Sequence, residues 1–214
     1  MINLQCVIFD MDGVIIESEP FHKKAYFETF NELGINMTDE IYSNFNGAST
    51  INTFEQLVEM FDLDEIPEEL VLRKRKKYLE LIKQDKDFTL IDGVLDIIKF
   101  FHEKGYKLVL ASSSSMGNIN MTFDRFNLHH YFTGKISGAD LPKSKPHPDI
   151  FLKASEIADI PRKNCIVIED STNGIKAANS ANIYAVGFKQ KHSTQDLSKA
   201  DLIINDFGQL KNEF

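Results

Sequence analysis

Apolar positions along the chain change texture twice. The run Leu4-Gln5-Cys6-Val7-Ile8-Phe9 is short and β-favouring and stops at Asp10 and Gly13, so it reads as a buried strand ending in a polar turn. From about Ser18 to Lys86 the pattern is helical. Ser18 is a candidate N-cap, with Glu19 and Pro20 in the opening positions. Phe21, Ala25, Phe27, Phe30 and Leu33 follow at helical intervals until Gly34, and further helices are predicted around Thr53–Phe61 and Glu68–Lys83. After Asp92-Gly93 strands and helices alternate. A helix over Val94–Lys104 is closed by Gly105, and a strand follows over Lys107–Ala111. Next come a helix over Gly117–Phe126, a strand at Gly134–Ser137 and a helix over Asp149–Ala158. The strand Cys165–Ile168, a helix from Gly174 to Ser180, and short strands at Ile183–Val186 and Leu202–Ile204 complete the series.

Strands alternating with helices imply an α/β fold, a parallel sheet core of Rossmann type with helices on both faces. The core is discontinuous, residues 1–14 and 89–214, and the stretch 15–88 is an inserted helical domain. A length of 214 residues suits one core domain with a smaller appended one.

Composition narrows the partners more than the chemistry. Hydrophobic residues make up 43% and charged residues 26%, as expected of a packed globule rather than a disordered chain. The net charge of −8 argues against a nucleic-acid partner, which calls for a basic surface, but not against a small anion in a locally positive pocket. Cys6 and Cys165 sit inside apolar runs, without disulfide or metal spacing, and read as reduced core residues. The start of the chain has no signal-peptide pattern and no apolar run reaches a membrane span, so a cytoplasmic protein without a membrane partner is expected.

Four segments carry chemistry. The first is Phe9-Asp10-Met11-Asp12-Gly13-Val14, at the carboxyl end of the first strand, where open parallel sheets bind ligands. With one residue between them, Asp10 and Asp12 project to the same side of an extended segment. Two carboxylates together repel, and a divalent cation such as magnesium relieves them while sharing oxygen ligands with a substrate phosphate. The same residues also read as a plain Asx turn. The second segment is Ile166-Val167-Ile168-Glu169-Asp170-Ser171, a second apolar strand ending in acids, followed by Asn173-Gly174 at a helix start. Alone these acids read equally as a helix N-cap; paired with the first segment, Glu169 and Asp170 can complete a metal site with Asp10. The third, Ala111-Ser112-Ser113-Ser114-Ser115, joins hydroxyls and free amides at a helix start, which is an anion site or only a solvated turn. The fourth is Lys143-Ser144-Lys145-Pro146-His147-Pro148, whose prolines restrict where Lys145 points. Beside the carboxylates, Lys145 would offset charge on a transferring phosphoryl group; otherwise it is an exposed lysine in a proline-rich loop.

These four segments, in this order, resemble the haloacid dehalogenase superfamily, in particular its β-phosphoglucomutase-like branch and its sugar-phosphate phosphatases. The likeness covers essentially the whole chain, with the helical insert as its cap. It implies that Asp10 is the nucleophile, forming an aspartyl-phosphate, and that Asp12 is the general acid and base with its main-chain carbonyl on the metal. It further implies that Asp170, with Glu169 as ligand or supporting partner, joins Asp10 and Asp12 around magnesium. Ser112, Ser113 and Lys145 would hold the phosphoryl group.

In the cap, His22 matches a histidine that in the mutases couples cap closure to Asp12, or it is a surface histidine. Asn46-Gly47-Ala48-Ser49-Thr50 matches the substrate loop, with Gly47 and Thr50 as candidate substrate contacts. Mutases of this type usually carry an arginine there for a second phosphate; Thr50 occupies that place and no arginine lies nearby. The basic run Arg73-Lys74-Arg75-Lys76-Lys77 could supply a substitute from another cap helix, but it reads first as a solvated helix face, since consecutive positions point all around a helix. The resemblance therefore implies a magnesium-dependent phosphatase of a small phosphorylated metabolite, expected to be monomeric. The alternatives are a β-phosphoglucomutase-type mutase, an inorganic pyrophosphatase, or a non-catalytic binding module on the same fold.

Overall fold

A computed structural model describes residues 2–43, 50–191 and 193–214. The chain divides into two compact units, one made of Met1–Glu17 with Thr89–Phe214 and the other of Ser18–Phe88.

The first unit is an α/β sandwich. Its strands are β1 (Cys6–Phe9), β2 (Lys107–Ser112), β3 (Gly134–Ser137), β4 (Cys165–Glu169), β5 (Tyr184–Phe188) and β6 (Leu202–Ile204), in the order β3-β2-β1-β4-β5-β6. Every pairing is parallel. β1 and β4 are buried along their whole length, which explains their unbroken apolar runs: helices cover both sides. One face packs Cys6, Ile8, Val109, Ala111 and Val167 against Ile150, Phe151 and Ala154 of the helix Asp149–Ala158. Val7, Phe9, Leu108 and Leu110 alternate with those residues along β1 and β2 and are equally buried. Cys6 and Cys165 are both buried free thiols, as their apolar surroundings predicted. Cys6 lies opposite Cys165 in the β1–β4 register, which brings Phe9 opposite Ile168 and so sets Asp10 level with Glu169.

The second unit contains α1 (Glu19–Glu32), α2 (Asp39–Ser43), α3 (Thr50–Met60) and α4 (Pro67–Gln84), and among its described residues there is no strand. Tyr26, Phe30, Phe54, Leu57, Leu70 and Val71 form its core. Ser18 stands at the N-cap of α1, but its side chain makes no capping hydrogen bond: its backbone is already helical, so the hydroxyl is not turned toward the first free amides.

The basic run on α4 corrects the expectation of a wholly solvated face. Arg73 pairs with Glu65 at 2.9 Å and Lys77 pairs with Glu32, but Lys74 is only 4% exposed. The reason is helical phase: Leu70, Lys74, Tyr78 and Ile82 repeat every four residues on the buried side of α4. The Lys74 ammonium lies 2.8 Å from His22 Nδ1 and 4.5 Å from the centre of the Tyr26 ring. His22 stacks on Tyr78 at 4.1 Å, so it is not a plain surface histidine. Among the described residues no helix is long and apolar enough to cross a membrane.

Candidate active site

The site of the α/β unit is built from the loops at the carboxyl ends of the strands. β1 ends at Phe9, and the ladder continues one step further because the Asp10 N–H donates to the Ile168 carbonyl at 3.0 Å. Asp10 is thereby held by backbone, with its carboxylate at the carboxyl edge of the sheet. The chain then turns through Gly13, whose φ of +81° favours glycine. Glycine is required for space as well, since a Cβ there would overlap the Asp170 carboxylate. The far side of this turn is pinned by Gln190, beyond β5, whose Nε2 donates to the Gly13 carbonyl at 2.7 Å.

β4 delivers the second pair of acids. Glu169 is 1% exposed. Its Oε2 accepts hydrogen bonds from Ser171 N–H at 2.9 Å and Ser171 Oγ at 2.8 Å, at the start of the helix Thr172–Ser180. A carboxylate at a helix N-terminus is favoured by the helix dipole. Ser171 also caps that helix, accepting from Gly174 N–H at 3.0 Å. A Cβ on Gly174 would fall on the Glu169 carboxyl, so the helix reaches the acid only because residue 174 has no side chain. Gly174→Ala is expected to cost about 1–3 kcal/mol through this overlap. A thermal melt checks it, and an unchanged melting temperature would contradict the packing.

Lys145 joins the two strands. Its ammonium donates to Asp10 Oδ1 at 2.6 Å, to Glu169 Oε1 at 2.7 Å and to the Ala111 carbonyl at 3.2 Å. Its side chain is 7% exposed. Burial works against its charge, but Asp10 and Glu169 outweigh that and hold it above the ordinary lysine range. Asp10 moves the other way from a simple ion pair, pushed up to about 7. Burial is the main cause; Lys145 pulls down, while Glu169 and Asp12 add repulsion. Asp170 is raised well above the ordinary carboxyl range by burial and by the charges of Glu169 and Asp10.

One ammonium is thus outnumbered by the carboxylates of Asp10, Asp12, Glu169 and Asp170. Ligand oxygens of Asp10, Glu169 and Asp170 lie within 4.8 Å of one another. An all-oxygen set with excess negative charge suits a hard divalent cation such as magnesium. The donors are not equal. Both Glu169 oxygens already accept hydrogen bonds, which fits it for orienting Lys145 and the helix start, and leaves Asp10 and Asp170 as the more available ligands.

The serine run completes the arrangement. Ser112 ends β2, is fully buried, and its Oγ accepts from Ser114 N–H at 3.0 Å. Ser115 caps the helix Met116–Phe126. Ser113 is exposed on the intervening turn. Ser114 turns inward and donates from Oγ to Asp12 Oδ2 at 2.8 Å. Asp10, Asp12, Ser112, Lys145, Glu169 and Asp170 therefore come from the carboxyl ends of β2 and β4 and the loops after β1, β3 and β4, at one edge of the sheet. Ser114 and Gln190 were not expected there: the first was one hydroxyl among four, and the second had no motif around it. His22 and Thr50 belong to the helical unit, where Thr50 opens α3, and Gly47 lies outside the described residues.

Residues 7–188 match the model of the haloacid dehalogenase-like hydrolases. The chain belongs to this family. Among relatives, it is 29% identical to a β-phosphoglucomutase of Bacillus subtilis, over 98% of this chain and 93% of that protein. It is 28% identical to a phosphorylated carbohydrates phosphatase of Thermotoga maritima, over 90% of this chain and 88% of that one. Among solved structures, a β-phosphoglucomutase of Clostridium difficile superposes with a TM-score of 0.82 at 26% identity, covering 98% and 94% of the two chains. As a haloacid dehalogenase-like enzyme, the chain has its acids and its lysine at the loops beyond the strand ends.

Proposed function

We propose that this protein is a magnesium-dependent phosphatase of a small phosphorylated metabolite, a sugar or polyol phosphate, working through an aspartyl-phosphate on Asp10. The observation that carries the reading is Lys145, buried between Asp10 and Glu169 at 2.6 and 2.7 Å beside two further carboxylates. A cation so placed orients a carboxylate and meets an incoming phosphoryl group. Relatives named for phosphorylated carbohydrates support the substrate class.

In this mechanism Asp10 attacks phosphorus with one carboxylate oxygen while the bond to the leaving oxygen breaks. Lys145, the Ser112 hydroxyl and the amides of the Ser113 turn hold the phosphoryl oxygens. Asp12 gives its proton to the leaving oxygen, then takes one from the water that attacks phosphorus and frees Asp10 and inorganic phosphate. Asp10, oriented by Lys145, and Asp170 would be the residues to hold magnesium. Bound there, the metal supplies charge neutralisation for the phosphoryl oxygens.

Delivery to water, rather than to a second sugar hydroxyl, is favoured by the segment Asn46–Thr50, which offers no arginine to grip a second phosphate. The mutase reading remains the alternative, and Lys74, a buried cation of the helical unit, is the feature that speaks for it. A phosphate-release screen over phosphorylated metabolites, with magnesium and with or without a sugar bisphosphate, separates the two. Steady release from a monophosphate is expected, lost on chelation and restored by magnesium. An isomerised product that appears only with the bisphosphate would replace the phosphatase with the mutase, and full activity after chelation would remove the metal.

A further inference from the structure

Asp10 and Asp12 are two residues apart but meet different groups. Asp10 faces an ammonium at 2.6 Å; Asp12 Oδ2 receives the Ser114 hydroxyl at 2.8 Å. The contact spans 102 positions in sequence and connects the loop after β1 with the loop after β2. That Ser114 points inward is determined by its neighbours. Its N–H is tied to Ser112 Oγ at 3.0 Å, in a turn anchored by the buried end of β2. One residue later Ser115 starts a helix as its cap, accepting from Asn118 N–H at 3.4 Å. The Ser114 main chain is therefore held on both sides, and a hydroxyl carried on a held main chain is a better guide for a neighbouring carboxyl than one on a mobile turn.

We propose that Ser114 is the positioning residue for Asp12, holding its carboxyl in one orientation through Oδ2. This rests on the reading of Asp12 as the general acid. The link suits that task in two ways. It acts on Oδ2 and so restrains the rotation of the carboxyl. A hydroxyl also both donates and accepts, so it does not impose a charge on its partner as the ammonium of Lys145 does on Asp10. Within the run of four serines the duties separate: Ser112 anchors the turn, Ser115 caps the helix and Ser114 aims the acid.

The test is turnover of a series of substituted phenyl phosphates with magnesium, comparing the unaltered protein with Ser114→Ala, Ser114→Thr and Asp12→Asn. A general acid matters most when the leaving oxygen is basic, and its contribution is about 10²–10⁴-fold. Asp12→Asn is expected to lose that factor in kcat/KM, which reports the step that forms the aspartyl-phosphate, on phenyl phosphate and much less on p-nitrophenyl phosphate. Its loss as the base for water lowers kcat for every substrate alike. Ser114→Ala is expected to show the same leaving-group dependence in smaller measure, about 10-fold or more in kcat/KM on phenyl phosphate, with KM itself not raised. Ser114→Thr keeps the hydroxyl and is expected to recover most of the rate, and a thermal melt of each variant identifies loss of fold. Equal losses across the series for Ser114→Ala, or a rise in KM alone, would overturn the positioning role. If Asp12→Asn itself showed no leaving-group dependence, the reading of Asp12 as the acid would fall, and the Ser114 role with it. Absence of turnover by the unaltered protein across the series would overturn the phosphatase reading and both roles.

Discussion

Asp10→Asn is expected to abolish phosphate release while leaving the fold in place. The substitution keeps size and shape at the end of β1, so the backbone hydrogen bond from residue 10 to Ile168 and the level alignment with Glu169 are retained. It removes a negative charge from a crowded group, where burial and the neighbouring acids already push Asp10 up to about 7. The variant should therefore melt no lower than the unaltered protein, although the ammonium of Lys145 loses one of its two carboxylate partners. An amide nitrogen or oxygen does not serve as the attacking carboxylate, so the loss in turnover is expected to reach at least about 10³-fold. Phosphate release and a thermal melt on the same sample check both halves. Retained turnover would contradict the assignment, and an early melt would show that Asp10 acts on the fold.

Lys145→Met is the second large effect. Methionine keeps an unbranched stem but removes the charge, which lies 5.0 Å from the centre of the Phe151 ring. The loss acts on catalysis and on stability separately. The phosphoryl group loses its cation, with an expected fall in kcat of about 10²–10³-fold, the scale of a preorganised electrostatic contact. Asp10 and Glu169 also lose the partner that offsets their burial, and removing one member of a buried ion pair costs about 3–5 kcal/mol. The melting temperature without magnesium should fall, and added magnesium should recover part of it by neutralising the same carboxylates. A variant with unaltered melting and near-full turnover would remove Lys145 from the site.

Much of this site was legible in the sequence because it lies where apolar strands stop. β1 and β4 are unbroken runs of buried residues that end in acids, and the strands Gly134–Ser137 and Leu202–Ile204 and the helix Asp149–Ala158 have the bounds that turn chemistry and periodicity predicted. What was not legible depends on geometry that has no local signature. Which of four consecutive serines turns toward Asp12 is decided by the turn after β2 and not by residue type. Gln190 meets Gly13 across 177 positions, through a loop with no motif. Lys74 lay within a basic run, where charge suggested solvent. Its position four residues from both Leu70 and Tyr78 carried the opposite signal, and helical phase prevailed. The helix Asp39–Ser43 is too short to show a period at all.

The central claim is that Asp10 carries the phosphoryl group in passing. Its most direct test is reductive trapping during turnover, in which borohydride converts an acyl phosphate to the alcohol and peptide mass spectrometry locates the change. Homoserine at position 10, dependent on substrate and absent from Asp10→Asn, is the predicted result. Steady turnover with an unmodified Asp10, or trapping at another carboxylate, would contradict it.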